Sequence, residues 1–136
     1  MLTKKAKYAL NALVYLSNNA TENIPITAFK IAQDNDISQK FLESILIEMK
    51  KVGLLGSMHG KGGGYYLRRS PNEIQLVEII RMFDGAVGLI PCVTHQFFEP
   101  CKECKDIETC KIRFTFKELR DLNVEFLKKR TLKDLL

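Results

Sequence analysis

No stretch of this chain stays apolar over the roughly 20 residues that a membrane-spanning helix needs. The opening Leu2-Thr3-Lys4-Lys5 has no hydrophobic run of the kind that marks a secretory leader. A cytoplasmic location without a membrane partner is the expectation. Proline and glycine are sparse, four and eight among 136 residues, which excludes collagen-like and low-complexity chains. No grouping of serine, histidine and acid is present, and His95 reads as a surface or partly packed side chain rather than a base. No enzyme is expected. The run Gly60-Lys61-Gly62-Gly63-Gly64 lacks P-loop spacing, and no dinucleotide fingerprint follows a strand, so nucleotide binding is set aside.

What is present is a chain with 46% hydrophobic residues, enough for one core but not two independent ones. Its net charge of +5 is unevenly spread: residues 1–70 carry ten Lys or Arg against five acids, residues 71–136 eleven against eleven. All of the excess positive charge lies in the first half. That suits a module facing phosphates, and equally an ordinary solvated surface.

Helical periodicity of Ala6, Ala9, Leu10, Leu13, Val14 and Leu16 predicts a first helix from Thr3, its cap, to about Ser17. Thr27 and Ser38 each follow an isoleucine and precede an apolar residue at the fourth helical position, Ile31 and Leu42. Both are hydrophobic-staple patterns, and the Asp34-Asn35-Asp36 turn between them predicts two short, tightly joined helices. Leu42, Ile45, Leu46 and Met49 form the buried stripe of the third helix, which Gly53 ends. Leu54-Leu55 and Tyr65-Tyr66-Leu67 then read as strands flanking a glycine-rich, basic tip. The order is that of a winged helix-turn-helix.

Ser70, Pro71 and Asn72 lead to a helix near Gln75 to Phe83, with Val77, Ile80 and Phe83 inward. From Lys111 to about Lys129, Ile112, Phe116, Leu119, Asn123 and Phe126 make a short heptad-like seam suited to a second copy of the chain. The expected fold is mainly α with a small β-hairpin wing and a long C-terminal dimerisation helix. Residues 1–85 would form the DNA-binding unit, 86–110 a cysteine-rich sensor loop, and 111–136 the dimerisation helix and tail.

In such a fold the second helix of the motif enters the major groove. Here it presents Ser38, Gln39, Lys40, Glu43, Ser44 and Lys50. Glu43 is suited to accept from cytosine N4 and Gln39 to pair with adenine, while Lys40 and Lys50 neutralise phosphates or reach guanine. Lys61 at the wing tip, with His59 and Arg68 flanking it, would approach the backbone or minor groove.

Four cysteines fall within nineteen residues: Cys92, Cys101, Cys104 and Cys110. In a reducing cytosol such a cluster reads as metal ligands or redox-active thiols rather than structural disulfides. Thiolates select zinc, copper or iron-sulfur clusters over calcium and magnesium. Four of them suit either tetrahedral zinc or a fully cysteine-ligated cluster, and a metal-free thiol sensor stays open beside both.

The stretches Leu2-Thr3 with Lys7-Tyr8-Ala9, Ile37 through Glu43, and Val52-Gly53-Leu54-Leu55 through Gly60-Lys61-Gly62-Gly63-Gly64-Tyr65 resemble the Rrf-two family of bacterial regulators, over essentially the whole chain. That resemblance implies a homodimer on palindromic promoter DNA, the last helix as dimer interface, Glu43 as a base contact, and a 2Fe-2S or 4Fe-4S cluster on the loop cysteines. It is of the iron-sulfur cluster regulator or nitric-oxide-sensing repressor type. Some relatives place an acid at the position of Lys7 as fourth ligand, and others a histidine at the position of Arg113. Neither residue here suits that role, so either all four cysteines ligate or Cys101 and Cys104 compete for one position. The function implied is a cluster-modulated transcriptional regulator. A zinc-stapled or thiol-sensing repressor without a cluster, and a protein-interaction module that recruits an enzyme, are the alternatives.

Overall fold

The computed structural model describes residues 2–95 and 97–136. Its first two helices begin where side chains supply caps. Thr3 caps α1 (Lys4–Asn19), its hydroxyl accepting from the Ala6 amide at 3.2 Å, and Thr27 caps α2 (Ala28–Asp34), accepting from the Lys30 amide at 3.2 Å. Each cap satisfies an otherwise orphaned helix N–H. Ser38 occupies the cap position of α3 (Gln39–Lys51), but its side chain makes no capping bond. Between α2 and α3 the turn closes through Asp36 at φ 53° and a bond from the Ile37 amide to the Ala32 carbonyl.

The stripe Leu42, Ile45, Leu46 and Met49 of α3 is fully buried against Leu13 and Leu16 of α1 and Ile31 of α2. Gly53 ends that element at φ 76°. The chain then forms β1 (Leu55–Met58) and β2 (Gly64–Leu67), antiparallel with Leu55 opposite Leu67 and Met58 opposite Gly64. Leu54, expected as a strand residue, instead packs in the core just ahead of the hairpin. A third, one-residue strand escapes any periodicity argument. Ile26 bridges Tyr65, exchanging hydrogen bonds of 3.0 and 2.7 Å. Gly64 makes that approach feasible, since a Cβ there would lie 2.3 Å from the Ile26 carbonyl carbon.

A 3-10 turn, Pro71–Glu73, carries a complete Ser70/Glu73 capping box and leads into α4 (Leu76–Asp84), ended by Gly85 at φ 71°. Val77 and Ile80 are buried as expected, Phe83 is half-buried, and Ile79 is the residue of this helix that reaches the central core. Residues 86–110 then form a loop containing a second 3-10 turn, Pro91–Val93. The last long helix, α5 (Lys111–Lys128), packs on α4 and on that turn. The mainly α architecture with a hairpin wing stands.

The end of the chain does more than trail from α5. Thr131 bridges Gln75, the Leu132 amide donates to the Ile74 carbonyl at 2.8 Å, and the Leu76 amide donates to the Arg130 carbonyl at 2.9 Å. Leu132 is thereby driven, fully buried, into the same core as α1 and α3. Truncating a buried leucine costs about 2–5 kcal/mol. Leu132→Ala should therefore lower the urea midpoint of the whole chain by that equivalent, whereas truncation of the exposed Leu136 should leave it almost unchanged.

Candidate nucleic-acid interface and thiol site

Because the inner stripe of α3 is fully engaged, its other face is left to solvent. Ser38, Gln39, Lys40, Ser44 and Lys50 are exposed, and Glu43 is half-buried. Gln39 Nε2 donates to Glu43 Oε1 at 2.8 Å, so the two expected base readers hold each other. Glu43 also reaches toward the wing: burial, and then the Glu43 charge, push the Tyr65 phenol above its ordinary value. The wing turns through Gly60 and Gly62, both at positive φ, with the Gly63 amide closing on the Gly60 carbonyl at 3.0 Å. His59 and Lys61 are exposed at this tip, and Arg68 is exposed where β2 ends.

Neighbouring cations are disposed differently. Arg69 turns back to α4, donating to Glu78 at 2.7 Å and to the Glu73 carbonyl at 2.5 Å. Lys5 pairs with Glu48 at 2.6 Å and Lys30 with Asp34 at 2.9 Å. Among the described residues, Lys40, Lys50, Lys61 and Arg68 take part in no ion pair. Together with the exposed Lys51 at the end of α3, these are the cations on α3 and the wing that can release counterions from a nucleic-acid backbone.

Beyond α4, the Pro91–Val93 turn buries Cys92, 4% exposed, under α5. The Cys101 Sγ lies 4.0 Å from the Cys92 Sγ. Cys104 follows through a tight turn, its amide donating to the Cys101 carbonyl at 3.1 Å. Cys110 caps α5, its sulfur accepting from the Arg113 amide at 3.5 Å. All four thiols are free. The hydrogen bond to Cys92 is the main cause that raises the Cys101 thiol above its usual value, with partial desolvation and the charges of Cys92, Glu103 and Cys110 adding to it. Cys104 is raised by desolvation and by Cys110, against a lowering contact with the Asp106 backbone.

A tetrahedral metal with metal–sulfur bonds of about 2.3 Å needs sulfurs about 3.8 Å apart. The Cys92–Cys101 pair is already close to that edge. The donor set is therefore chemically right for a thiolate-bound group. Among the described residues no three His, Cys, Asp or Glu side chains converge into a complete ligand set, so Cys104 and Cys110 must draw in to complete one.

Sequence periodicity missed two residues here. Arg113 Nε donates to the Cys92 carbonyl at 3.2 Å, and Arg120, only 7% exposed, donates Nη1 to the Val93 carbonyl while pairing with Asp121 at 2.5 Å. Both lie on the inward stripe of α5 with Phe116, Val124 and Leu127, a helical spacing the apolar pattern alone does not reveal. Of the expected seam, Ile112 (64% exposed), Leu119, Asn123 and Phe126 (58% exposed) face outward, whereas Phe116 is half-buried on the inward stripe.

A family model, Rrf2, described as iron-dependent transcriptional regulators, matches residues 2–136. The chain belongs to the Rrf2 family. It is 35% identical over 138 residues to an Rrf2-like HTH-type transcriptional regulator of Rhodobacter capsulatus, covering 100% of this chain and 92% of that protein. To IscR of Pectobacterium carotovorum it is 30% identical over 134 residues, covering 98% and 77%. CymR, the global cysteine regulator of B. subtilis, matches it with a TM-score of 0.77 at 27% identity, over 99% of this chain and 95% of that one. This Rrf2-family chain is thus a DNA-binding transcriptional regulator, and the family is one of regulators rather than enzymes. No described helix is long and apolar enough to cross a membrane.

The thiol geometry has a titration consequence. Cys101 stays protonated to a higher pH than an ordinary thiol, so its alkylation by iodoacetamide should accelerate only above the usual thiol range. Cys92→Ala removes the principal cause and should move that rise to lower pH, read by peptide mass spectrometry across a pH series. An unchanged profile would refute the pairing of these sulfurs.

Proposed function

We propose that this regulator works as a homodimer on palindromic promoter DNA, and that its affinity is set by an iron-sulfur cluster, 2Fe-2S or 4Fe-4S, held by Cys92, Cys101, Cys104 and Cys110. The observation that carries the sensor half is the approach of Cys101 to Cys92 at 4.0 Å, beside a Cys110 that caps α5. When bound, a cluster supplies a centre that oxygen, iron supply or nitric oxide can alter. The chain's part is to convert the state of the loop into the position of α5, because only a state-dependent difference in affinity changes promoter occupancy. The exposed seam of Ile112, Leu119, Asn123 and Phe126 supports pairing with a second copy through α5.

On the DNA side, Ser38, Gln39, Lys40, Glu43, Ser44 and Lys50 would lie in the major groove, with His59, Lys61 and Arg68 of the wing on the flanking backbone or minor groove. Gln39 and Glu43 would exchange their mutual bond for base contacts. A second reading, a zinc-stapled or metal-free thiol repressor, is favoured by the same 4.0 Å spacing, since it also suits tetrahedral zinc.

Anaerobic purification followed by visible absorption and iron, sulfide and zinc analysis separates these readings. Brown protein with iron and sulfide is expected. Colourless protein with stoichiometric zinc would establish the second reading, and colourless protein without metal would leave the thiols as the sensor. For the reader, Glu43→Ala should erase about 1–3 kcal/mol of discrimination at one base pair per half-site while retaining most affinity for other sequences. Lys61→Ala should weaken all duplexes alike and reduce the salt slope by about 1 per protomer. Fluorescence anisotropy over a salt series checks both, and identical effects of the two substitutions on every sequence would refute this division.

A further inference from the structure

Arg113 touches both ends of the cysteine loop. Its backbone amide donates to the Cys110 sulfur at 3.5 Å, while its side chain reaches back along α5 to donate Nε to the Cys92 carbonyl at 3.2 Å. Seven residues on, two helical turns along the same stripe, Arg120 donates to the carbonyl of the next residue, Val93. The Pro91–Val93 turn is thus held by two guanidinium groups projecting from one helix.

A guanidinium is permanently protonated and has no lone pair for a metal, so Arg113 is no ligand. Its planar fork is instead suited to fixing a backbone carbonyl in a set direction. Cys92 is the most buried of the four thiols and Cys110 begins α5, so the two sulfurs on either side of Arg113 belong to opposite ends of the cysteine loop. Seventeen residues of sequence lie between them.

We propose that Arg113 is the positioning residue of the thiol site, setting where Cys92 lies relative to Cys110 and to the start of α5. This rests on the reading of the four cysteines as one sensor site. It makes Arg113 the link through which a change at Cys92 is felt by α5, with Arg120 holding the other side of the turn. The link is a directed hydrogen bond, not a charge near a thiolate, which distinguishes Arg113 from an electrostatic activator of the cysteines.

The test compares Arg113→Ala and Arg113→Lys in the full chain, by cysteine-resolved iodoacetamide labelling of the metal-free protein and by cobalt(II) titration followed through thiolate charge-transfer absorption. Lysine keeps the charge but not the fork. Both variants should label Cys92 severalfold faster than the parent while Cys104 and Cys110 keep their rates, because the amide bond to Cys110 does not depend on the side chain. Both should bind cobalt(II) about 10–100-fold more weakly, as follows when an outer partner of a metal ligand is lost. Parental labelling of Cys92 in the alanine variant, parental behaviour of the lysine variant, or equal acceleration at all four cysteines would each overturn the proposal. If the parent itself gives no thiolate–cobalt absorption, the metal-site reading fails, and the labelling pattern still decides the role of Arg113.

Discussion

The structure depends on the backbone exchange between Ile74-Leu76 and Arg130-Leu132. It returns the end of the chain to the core of the winged helix and buries Leu132 there. Without it, α5 would be attached to the reader only through the 86–110 loop and its packing on α4. With it, the helix is tied at both ends: Cys110 and Arg113 hold its start to the thiol loop, and Thr131 and Leu132 hold its finish to the reader. An 18-residue helix spans about 27 Å. Packed helices move as rigid bodies rather than bending freely, so a displacement imposed at one tie must be accommodated at the other. This gives the long helix a mechanical reason to sit between the thiol loop and the winged helix.

The same economy governs the charges. The first half of the chain carries the net positive charge, but the fold does not offer all of it to a ligand. Lys5, Lys30 and Arg69 are committed to Glu48, Asp34 and Glu78 and brace α1, α2 and the exit from the wing. Such exposed pairs stabilise little, typically less than about 1 kcal/mol each. Their consequence is one of placement, since none of the ion pairs among the described residues engages a cation of α3 or of the wing tip. Phosphate neutralisation gives affinity without sequence information, so on the proposed reading discrimination would fall to the Gln39–Glu43 pair on the same helix.

Most of the reader was legible in the sequence because its signals are local. Caps at Thr3 and Thr27, the staple positions Ile26 and Ile31, the stripe from Leu42 to Met49 and the stop at Gly53 each depend on residues within a turn or two. What was not legible depends on partners far along the chain. The bridge of Ile26 to Tyr65 has no period because it is one residue long, and the burial of Leu132 requires a strand-like pairing with Gln75 that no pattern near Thr131 announces. Ser38 had the right residue type for a cap, yet its hydroxyl is left unused by the helix. At the thiol site, the spacing of the cysteines indicated thiolate chemistry, but the roles of Arg113 and Arg120 follow from their carbonyl acceptors, which only the folded turn provides.

The thiol site and the helix it begins are also electrostatically linked. Cys101 is raised chiefly by its hydrogen bond with Cys92 and Cys104 chiefly by desolvation, and the charges of neighbouring sulfurs add to both. With no metal bound, Cys101 and Cys104 therefore favour the neutral thiol. A bound cation or cluster reverses that balance, because it requires thiolates and releases their protons. If Cys110 is one of the ligands proposed above, its thiolate charge would lie at the N-terminus of α5, where the helix dipole favours it. On the proposed metal reading, loading would strengthen the cap of the helix whose far end is fastened into the winged-helix core, and loss of the metal would weaken it. The direction of that coupling follows from the place of Cys110 as a helix cap, not from which metal is bound.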